Sequence, residues 1–193
     1  MATWCSNMEN WLASLQSKLE TTRVAITLAN LSEDDAPLSY VNVGFEAETG
    51  YLRGQVVGNN CRFLQGPESD PTAIGQLRSS IQSRQETAVC LTNYKCDGSK
   101  FENLVMLNFF RSPQQDWMCL GCQYELTKQF RRPGLEEHVA SVQGVLATLK
   151  AGGAFVSDMA IDAIWMRTQA VQHLDTNHFT RLHLGNPFAD SEN

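Results

Sequence analysis

Three consecutive segments near the middle of the chain have the residue pattern of β-strands and are joined by short turns. They are TAVCLTNYK (87–95), KFENLVMLNFF (100–110) and WMCLGCQYEL (117–126). Asp97-Gly98 marks a tight hairpin between the first two, and SPQQD forms the turn between the last two. Strands joined by such short turns pair antiparallel, so we expect this part of the chain to build an antiparallel sheet.

The segments before these strands add two further strands and several short helices. VAITLANL (24–31) and LSYVN (38–42) have the spacing of two strands around the turn EDDAP. Asp70 followed by Pro71 predicts the N-terminus of a longer helix. Two strands, a run of short helices and three more strands predict an α+β fold, in which a five-stranded antiparallel sheet carries helices on one face.

Helical segments flank this core at both ends. An apolar stripe at helical spacing predicts an N-terminal amphipathic helix, and its members are Met8, Trp11, Leu12, Leu15 and Leu19. After RRPG, two more helices are predicted, over residues 135–150 and 155–174. We divide the chain into an N-terminal helical cap (1–23), a core (24–130) and a C-terminal helical extension with a frayed tail (131–193). The N-terminal stripe suits packing against the protein's own core or against a partner helix, and the sequence leaves both open.

Charge and apolar content narrow the function classes. Fifteen Lys and Arg against 21 Asp and Glu give a formal net charge of −6, which argues against binding to nucleic acid or to an anionic membrane. No apolar run reaches the length of a bilayer span, and no signal peptide is visible, so we expect a cytoplasmic protein with free thiols. Cys119 and Cys122 form a CxxC, but on a strand they point to opposite faces, which disfavours a metal site.

Amide side chains recur on one face of the three predicted strands. Strand alternation places Asn93, Asn103 and Gln123 on the same side as several apolar residues. Buried amides need partners of matching donor and acceptor pattern, and a flat heterocycle with carbonyl and N–H edges would supply them. Arg62 and Arg78 suit a phosphate. The alternative is that the amides bond backbone groups and the arginines are solvated.

The segment GNNCRFLQGPESD (58–70) resembles the signature of LOV domains, the flavin-binding members of the PAS superfamily that act as blue-light receptors. The resemblance continues with Arg78, NYKCDGSKF (93–101), Asn103 and GCQYEL (121–126), and it covers roughly residues 24–126. It implies the PAS/LOV fold, a five-stranded antiparallel sheet with flanking helices. It also implies FMN as the cofactor.

The resemblance implies a role for each matching position. Cys61 is the thiol that adds to carbon C4a of the flavin, and Gln123 lies near flavin N5 and relays its state. The other expected flavin contacts are Asn60 and Gln65 on the polar side, Arg62 and Arg78 at the phosphate, Asn93 and Asn103 at the pyrimidine edge, and Leu107 against the ring. Cys119 departs from the family, which usually has a large aromatic residue there. It is expected to be a small apolar filler.

We therefore predict a blue-light photoreceptor without enzymatic activity. Its output is a change in self-association or in contact with a separate effector, through the flanking helices. We expect a dark-state homodimer that uses Leu104, Met106 and Leu120 on the sheet face opposite the flavin. The main alternative is a flavin-based redox sensor, which would not need Cys61.

Two enzymatic interpretations fit less well. A cysteine hydrolase needs a base beside the thiol, but all four histidines lie after residue 131. In a histidine-kinase interpretation, His138 on the first C-terminal helix would accept a phosphate group. The alternative is that His138 is a solvated residue on the surface of that helix. No glycine-rich nucleotide-binding segment follows it, so we expect no kinase activity.

Overall fold

The protein is described here by a computed structural model that covers residues 11–126, apart from 12, 14, 17 and 23, and residues 132–154. The helix predicted over 155–174, the frayed tail and the position of Met8 lie outside the described residues. None of the described helices is both long and apolar enough to cross a membrane.

Five antiparallel strands form one sheet, as the sequence predicts. They are β1 (Ala25–Asn30), β2 (Leu38–Val41), β3 (Thr87–Tyr94), β4 (Lys100–Arg111) and β5 (Trp117–Glu125). Their order across the sheet is β2-β1-β5-β4-β3. The first strand, β1, therefore pairs with the last strand, β5, inside the sheet. The hairpin at Asp97-Gly98 joins β3 to β4, and Gly98 has the positive φ of 81° that this turn requires.

The helices are α1 (described residues between 11 and 20), α2 (Val43–Thr49), α3 (Arg53–Val56), a 3₁₀ helix (Cys61–Leu64), α4 (Pro71–Ser83) and α5 (Arg132–Ala151). Asp70 is the N-cap of α4, as predicted, and its carboxylate accepts a hydrogen bond of 2.8 Å from the Thr72 N–H. The predicted start of the C-terminal helix is wrong by three residues. Because proline is tolerated in a first helical turn, α5 begins inside RRPG, at Arg132.

Helices cover both faces of the sheet: α2–α4 lie on one face, as predicted for the core, and the two flanking helices cover the other. On one side, α1 and α5 pack against the strands in a single apolar cluster. Trp11 of α1 donates a hydrogen bond of 2.8 Å to the Gly152 carbonyl just beyond α5, and its ring lies 6.3 Å from that of Phe110 on β4. We call this side of the sheet the helix face.

The expected docking surface for a second copy is occupied within the chain. Leu104, Met106 and Leu120 are at most 3% exposed because α1 and α5 cover them. The prediction that these three side chains lie opposite the flavin-facing residues is correct. The prediction that they are free for a partner is wrong, since an amphipathic stripe has the same pattern whether it packs within or between chains.

Candidate functional site

The other side of the sheet, which we call the cavity face, borders a cavity of about 750 Å³ including its open mouth. A concave and mainly apolar space of this kind is typical of small-molecule sites. The 3₁₀ helix and α4 close the cavity from above the sheet. The sheet and helix residues that line it include Leu38, Leu64, Leu77, Ile81, Leu91, Asn93, Asn103, Val105, Leu107, Cys119 and Gln123. The walls are thus mainly apolar, with a few polar groups.

The three predicted amides meet on this face. Strand register places Val105 of β4 opposite Gln123 of β5, and Leu91 of β3 opposite Asn103 of β4. Asn103 Nδ2 donates a hydrogen bond of 2.9 Å to Asn93 Oδ1. Asn103 Oδ1 and Gln123 Oε1 are buried and have no hydrogen-bond partner among the described residues.

These two unpaired oxygens are the strongest sign of a ligand. A buried acceptor without a partner costs about 1–3 kcal/mol, and native proteins rarely leave one beside an apolar cavity without a use for it. Asn103 Oδ1 suits the N–H that the edge of a flavin ring carries between two carbonyl groups, and the Gln123 amide, which has both donors and an acceptor, suits a ring nitrogen. The residues present therefore fit a flavin.

Gly121 on β5 lines the cavity where it meets the sheet, and sequence analysis did not assign it a role. A Cβ at this position would lie 2.4 Å from Thr27 Oγ1 on the neighbouring strand. The Thr27 hydroxyl donates a hydrogen bond of 3.4 Å to the Gly121 carbonyl, which fixes it there. A glycine inside a strand often marks the close approach of a ligand, so this position was a detectable signal.

The 3₁₀ helix presents Cys61 to the cavity. Its N-cap is Asn60, whose side-chain oxygen accepts a hydrogen bond of 3.0 Å from the Arg62 N–H. The Asn60 amide also donates a hydrogen bond of 2.6 Å to the Asp35 carbonyl, which ties the helix to the β1–β2 loop. Burial raises the pKa of the Cys61 thiol to about 12, so this thiol is protonated at neutral pH.

Cys119 is a second cavity-lining thiol. It is buried and packs in an apolar cluster with Leu107 and Phe109, which matches its expected role as a filler. Burial and, to a smaller extent, the neighbouring Cys61 raise the pKa of the Cys119 thiol to about 12, although Arg84 opposes this. Both thiols are therefore neutral, and position rather than acidity distinguishes them.

The polar residues expected around the rest of the cofactor lie in different environments. Asn60, Arg62, Gln65 and Leu107 line the cavity. Arg78 is exposed on α4 and lies outside the lining. Within the described part of the chain, no three His, Cys, Asp or Glu side chains are grouped to hold a metal ion.

Asp35 is a charged residue at the cavity mouth that sequence analysis missed. Its carboxylate accepts two hydrogen bonds from the Arg62 guanidinium, of 2.7 Å from Nη1 and 2.6 Å from Nη2. Such a pair joins residues 27 positions apart, and the sequence pattern alone does not reveal it.

Comparisons with known proteins agree on the family. A model of the PAS domain family matches residues 23–127, more than half of the chain. The chain is 38% identical over 125 residues to blue-light-activated histidine kinase 2 of Erythrobacter litoralis, a match that covers 62% of this chain and 36% of the relative. It is 30% identical over 111 residues to the blue-light photoreceptor of Listeria monocytogenes, covering 58% of this chain and 44% of that one.

Solved structures show the same relationship. The LOV protein of Rhodobacter sphaeroides superposes with a TM-score of 0.71 at 27% identity, over 83% of this chain and 92% of that chain. The light-state structure of the Aureochrome1 LOV domain has a TM-score of 0.52 at 34% identity, over 59% of this chain and 89% of that chain. With its five-stranded sheet, its cavity and its Cys61 segment, the chain belongs to the PAS domain family and is a LOV domain of that superfamily.

Proposed function

We propose that this protein is a blue-light receptor that binds flavin in the cavity and uses Cys61 as its reactive thiol. One observation carries the proposal: Cys61 lines the same cavity as the unpaired oxygens of Asn103 and Gln123. The two curated relatives described above, one a kinase and one a photoreceptor, are both named for blue light, which supports the same assignment.

Each amide has a distinct task in this proposal. Asn93 and Asn103 already share one hydrogen bond, which fixes Asn103 with its oxygen free for the N–H at the pyrimidine edge of the ring. Gln123 extends from β5 with its own oxygen free. A side-chain amide carries both donors and an acceptor, so rotation of Gln123 matches a ring nitrogen in either protonation state.

The neutral state of Cys61 suits a reaction that occurs only in light. A protonated thiol is a poor nucleophile, so the site is inert in the dark. A bound flavin supplies, on excitation, an electrophilic carbon at C4a and a basic nitrogen at N5. Cys61 would then supply both the sulfur that adds at C4a and the proton that N5 takes up, so no other reactant would be needed. Gln123 would offer its amide to that nitrogen, with its oxygen free to accept a hydrogen bond from a protonated N5.

We further propose FMN as the flavin, with its phosphate at the cavity mouth. Arg62 lines that mouth, and its guanidinium suits a phosphate group. Arg78 lies on α4, the helix that also carries the cavity-lining residue Leu77. Charge-assisted hydrogen bonds contribute about 1.5–3 kcal/mol each, so removal of both arginines would weaken FMN binding more than riboflavin binding.

The output of the receptor is proposed to pass through β5 to the helices. Gln123 faces the cavity, whereas its neighbour Cys122 is buried in the cluster beneath α1 and α5. A rotated Gln123 changes the hydrogen bonding of a strand that contacts both layers, which can bias helix packing. We propose that this shift alters self-association or binding to a separate effector in the cytoplasm, without catalysis by this chain.

The test of the proposed function is illumination of the purified flavin-bound protein. We expect the flavin absorption to bleach under blue light and to recover in the dark. Cys61→Ala should stay yellow and lose the bleach, whereas the matched variant Cys119→Ala should keep it. A normal bleach in Cys61→Ala would contradict the assignment of the thiol, and a response to chemical reduction without any bleach would favour a redox sensor.

Self-association requires its own measurement, because α1 and α5 cover the sheet within one chain. Size exclusion with light scattering, in darkness and under blue light across a concentration series, measures it directly. A dimer whose affinity changes with light supports the proposed output. A monomer at every concentration in both states would remove self-association as the signal.

A further inference from the structure

The predicted phosphate-binding arginine already has an anionic partner. The Asp35 carboxylate engages both terminal nitrogens of Arg62, at 2.6 and 2.7 Å. Fork-shaped pairs of this kind are the most specific contacts that a guanidinium makes, and carboxylate and phosphate compete for the same donors. Two of the five N–H donors of Arg62 are thus occupied by Asp35.

The pair lies at the entrance of the cavity rather than on a remote surface. Arg62 and its neighbours Asn60 and Ala36 all line the cavity. The side chains of Arg62 and Asp35 remain 59% and 61% exposed, so a ligand group that extends out of the mouth reaches them.

The loop that carries Asp35 is held in one conformation. Asp35 and Ala36 have positive φ values of 65° and 48°, which non-glycine residues seldom adopt without support. Part of that support comes from the Asn60 side chain, which donates a hydrogen bond of 2.6 Å to the Asp35 carbonyl. The carboxylate is therefore tied to the segment that carries Cys61 and Arg62.

We propose that Asp35 sets the preference of this site between phosphorylated and unphosphorylated flavin, by competing with the phosphate group for Arg62. A phosphate dianion must share Arg62 with a carboxylate of like charge. The ribityl hydroxyl of riboflavin carries no charge, so the Asp35 carboxylate does not repel it. The inference rests on the proposed function, and it assigns to Asp35 a role in ligand specificity that acts through Arg62.

The competition is electrostatic, so it should depend on salt. Because the pair is exposed, added salt screens the repulsion between the carboxylate and the phosphate. The Arg62 guanidinium holds the pKa of Asp35 below its usual value, so the carboxylate remains charged throughout the neutral range. A change of pH between about 6 and 8 should therefore leave the charge of Asp35 unaltered.

The test is a titration of flavin-free protein with FMN and with riboflavin, followed by quenching of flavin fluorescence. Asp35→Asn removes the charge and keeps a side chain that tolerates positive φ. We expect the ratio of FMN to riboflavin affinity to rise by about tenfold, and this gain to shrink at high salt. Asp34→Asn removes the same charge from an adjacent exposed residue and should change the ratio less than about twofold. Asp35→Gly should reproduce the effect of Asp35→Asn.

Each other result has a defined meaning. An unchanged ratio in both Asp35 variants, or a change equal to that of Asp34→Asn, would overturn the inference. A fall in the ratio would also overturn it, since Asp35 would then position Arg62 for the phosphate. Failure of the unaltered protein to bind either flavin would reject the proposed function itself, which separates the two failures.

Discussion

The two faces of the sheet contain the same kind of residue in opposite situations. Asn103 and Gln123 on the cavity face have unpaired oxygens beside an open cavity. Asn108 on the helix face is 1% exposed, and neither atom of its amide has a partner among the described residues. It lies opposite Leu120 under the layer formed by α1 and α5, and it is not part of the cavity lining. An unpaired buried amide therefore indicates a ligand only where space for that ligand adjoins it.

The packing of the two faces differs accordingly. On the helix face, side chains of α1 and α5 pack against side chains of the strands in one large apolar cluster. The cavity face has smaller apolar clusters around a cavity that opens to solvent. We expect the helix face to provide most of the stability of the flavin-free protein, and the cavity face to gain stability when the ligand binds.

Two leucines on β4 should show the greatest difference in stability between the two faces. Leu104→Ala on β4 empties a fully buried site of the helix face and should lower the free energy of unfolding by about 2–5 kcal/mol. Leu107→Ala, three residues further along the same strand, borders existing space and should cost less in the flavin-free protein. Urea unfolding of both variants measures the difference. Equal losses would show that the cavity face is packed as tightly as the helix face.

Glu48 also has an unpaired buried polar atom, and it differs from the amides because its carboxylate can accept a proton. Its Oε1 has no partner among the described residues, and burial together with nearby Glu125 raises its pKa to about 7, although Lys95 opposes this. Burial and, to a smaller extent, the nearby Glu48 raise the pKa of Tyr124 as well. In the unfolded chain the pKa of Glu48 returns to its ordinary value, near 4.5.

The sign of the effect on stability follows from these two pKa values. The folded state binds the extra proton, so the free energy of unfolding falls as pH rises from the unfolded to the folded pKa. Glu48→Gln should therefore leave stability at pH 4 nearly unchanged and raise it at pH 8 by up to about 3 kcal/mol. Chemical unfolding at both pH values measures this, with exposed Asp34→Asn as the control. A gain of equal size at pH 4 would show that protonation is not the cause.

The smallest effect concerns the helix-face amide. Asn108→Leu replaces two unpaired polar atoms with apolar ones and should raise the free energy of unfolding by about 1–2 kcal/mol. The same change at Asn103 should instead abolish flavin binding, because it removes an acceptor that faces the cavity. Thermal unfolding with and without FMN separates these outcomes. A destabilised Asn108→Leu would mean that the buried amide makes a favourable interaction on the helix face.

Much of the fold and part of the site could be predicted because they follow from local patterns. Strand alternation correctly placed Asn93, Asn103 and Gln123 on one face. The resemblance to LOV domains also predicted that Cys61 lies beside these amides, and Cys61 lines the same cavity. Whether Arg78 contacts a phosphate stays a prediction, since its exposed side chain lies outside the cavity lining.

The remainder depended on contacts between distant parts of the chain. For the N-terminal helix, the sequence left packing on the core and packing on a partner both open, because the apolar stripe of a helix does not identify what it packs against. Asp35 was missed because its partner lies 27 residues away and its loop uses positive φ values without glycine. The start of α5 was missed because proline marks either the end of a helix or its first turn.

Flavin should bind one face of the sheet and leave the other face unchanged in the dark. Side-chain amide resonances test this directly by NMR, because Asn103 and Gln123 report on the cavity face and Asn108 on the helix face of the same strands. On addition of FMN in darkness, we predict large shifts for the Asn103 and Gln123 amides and almost none for the Asn108 amide. An Asn108 shift as large as the other two, or unshifted Asn103 and Gln123 resonances in a flavin-bound sample, would show that flavin binding is not confined to the cavity face.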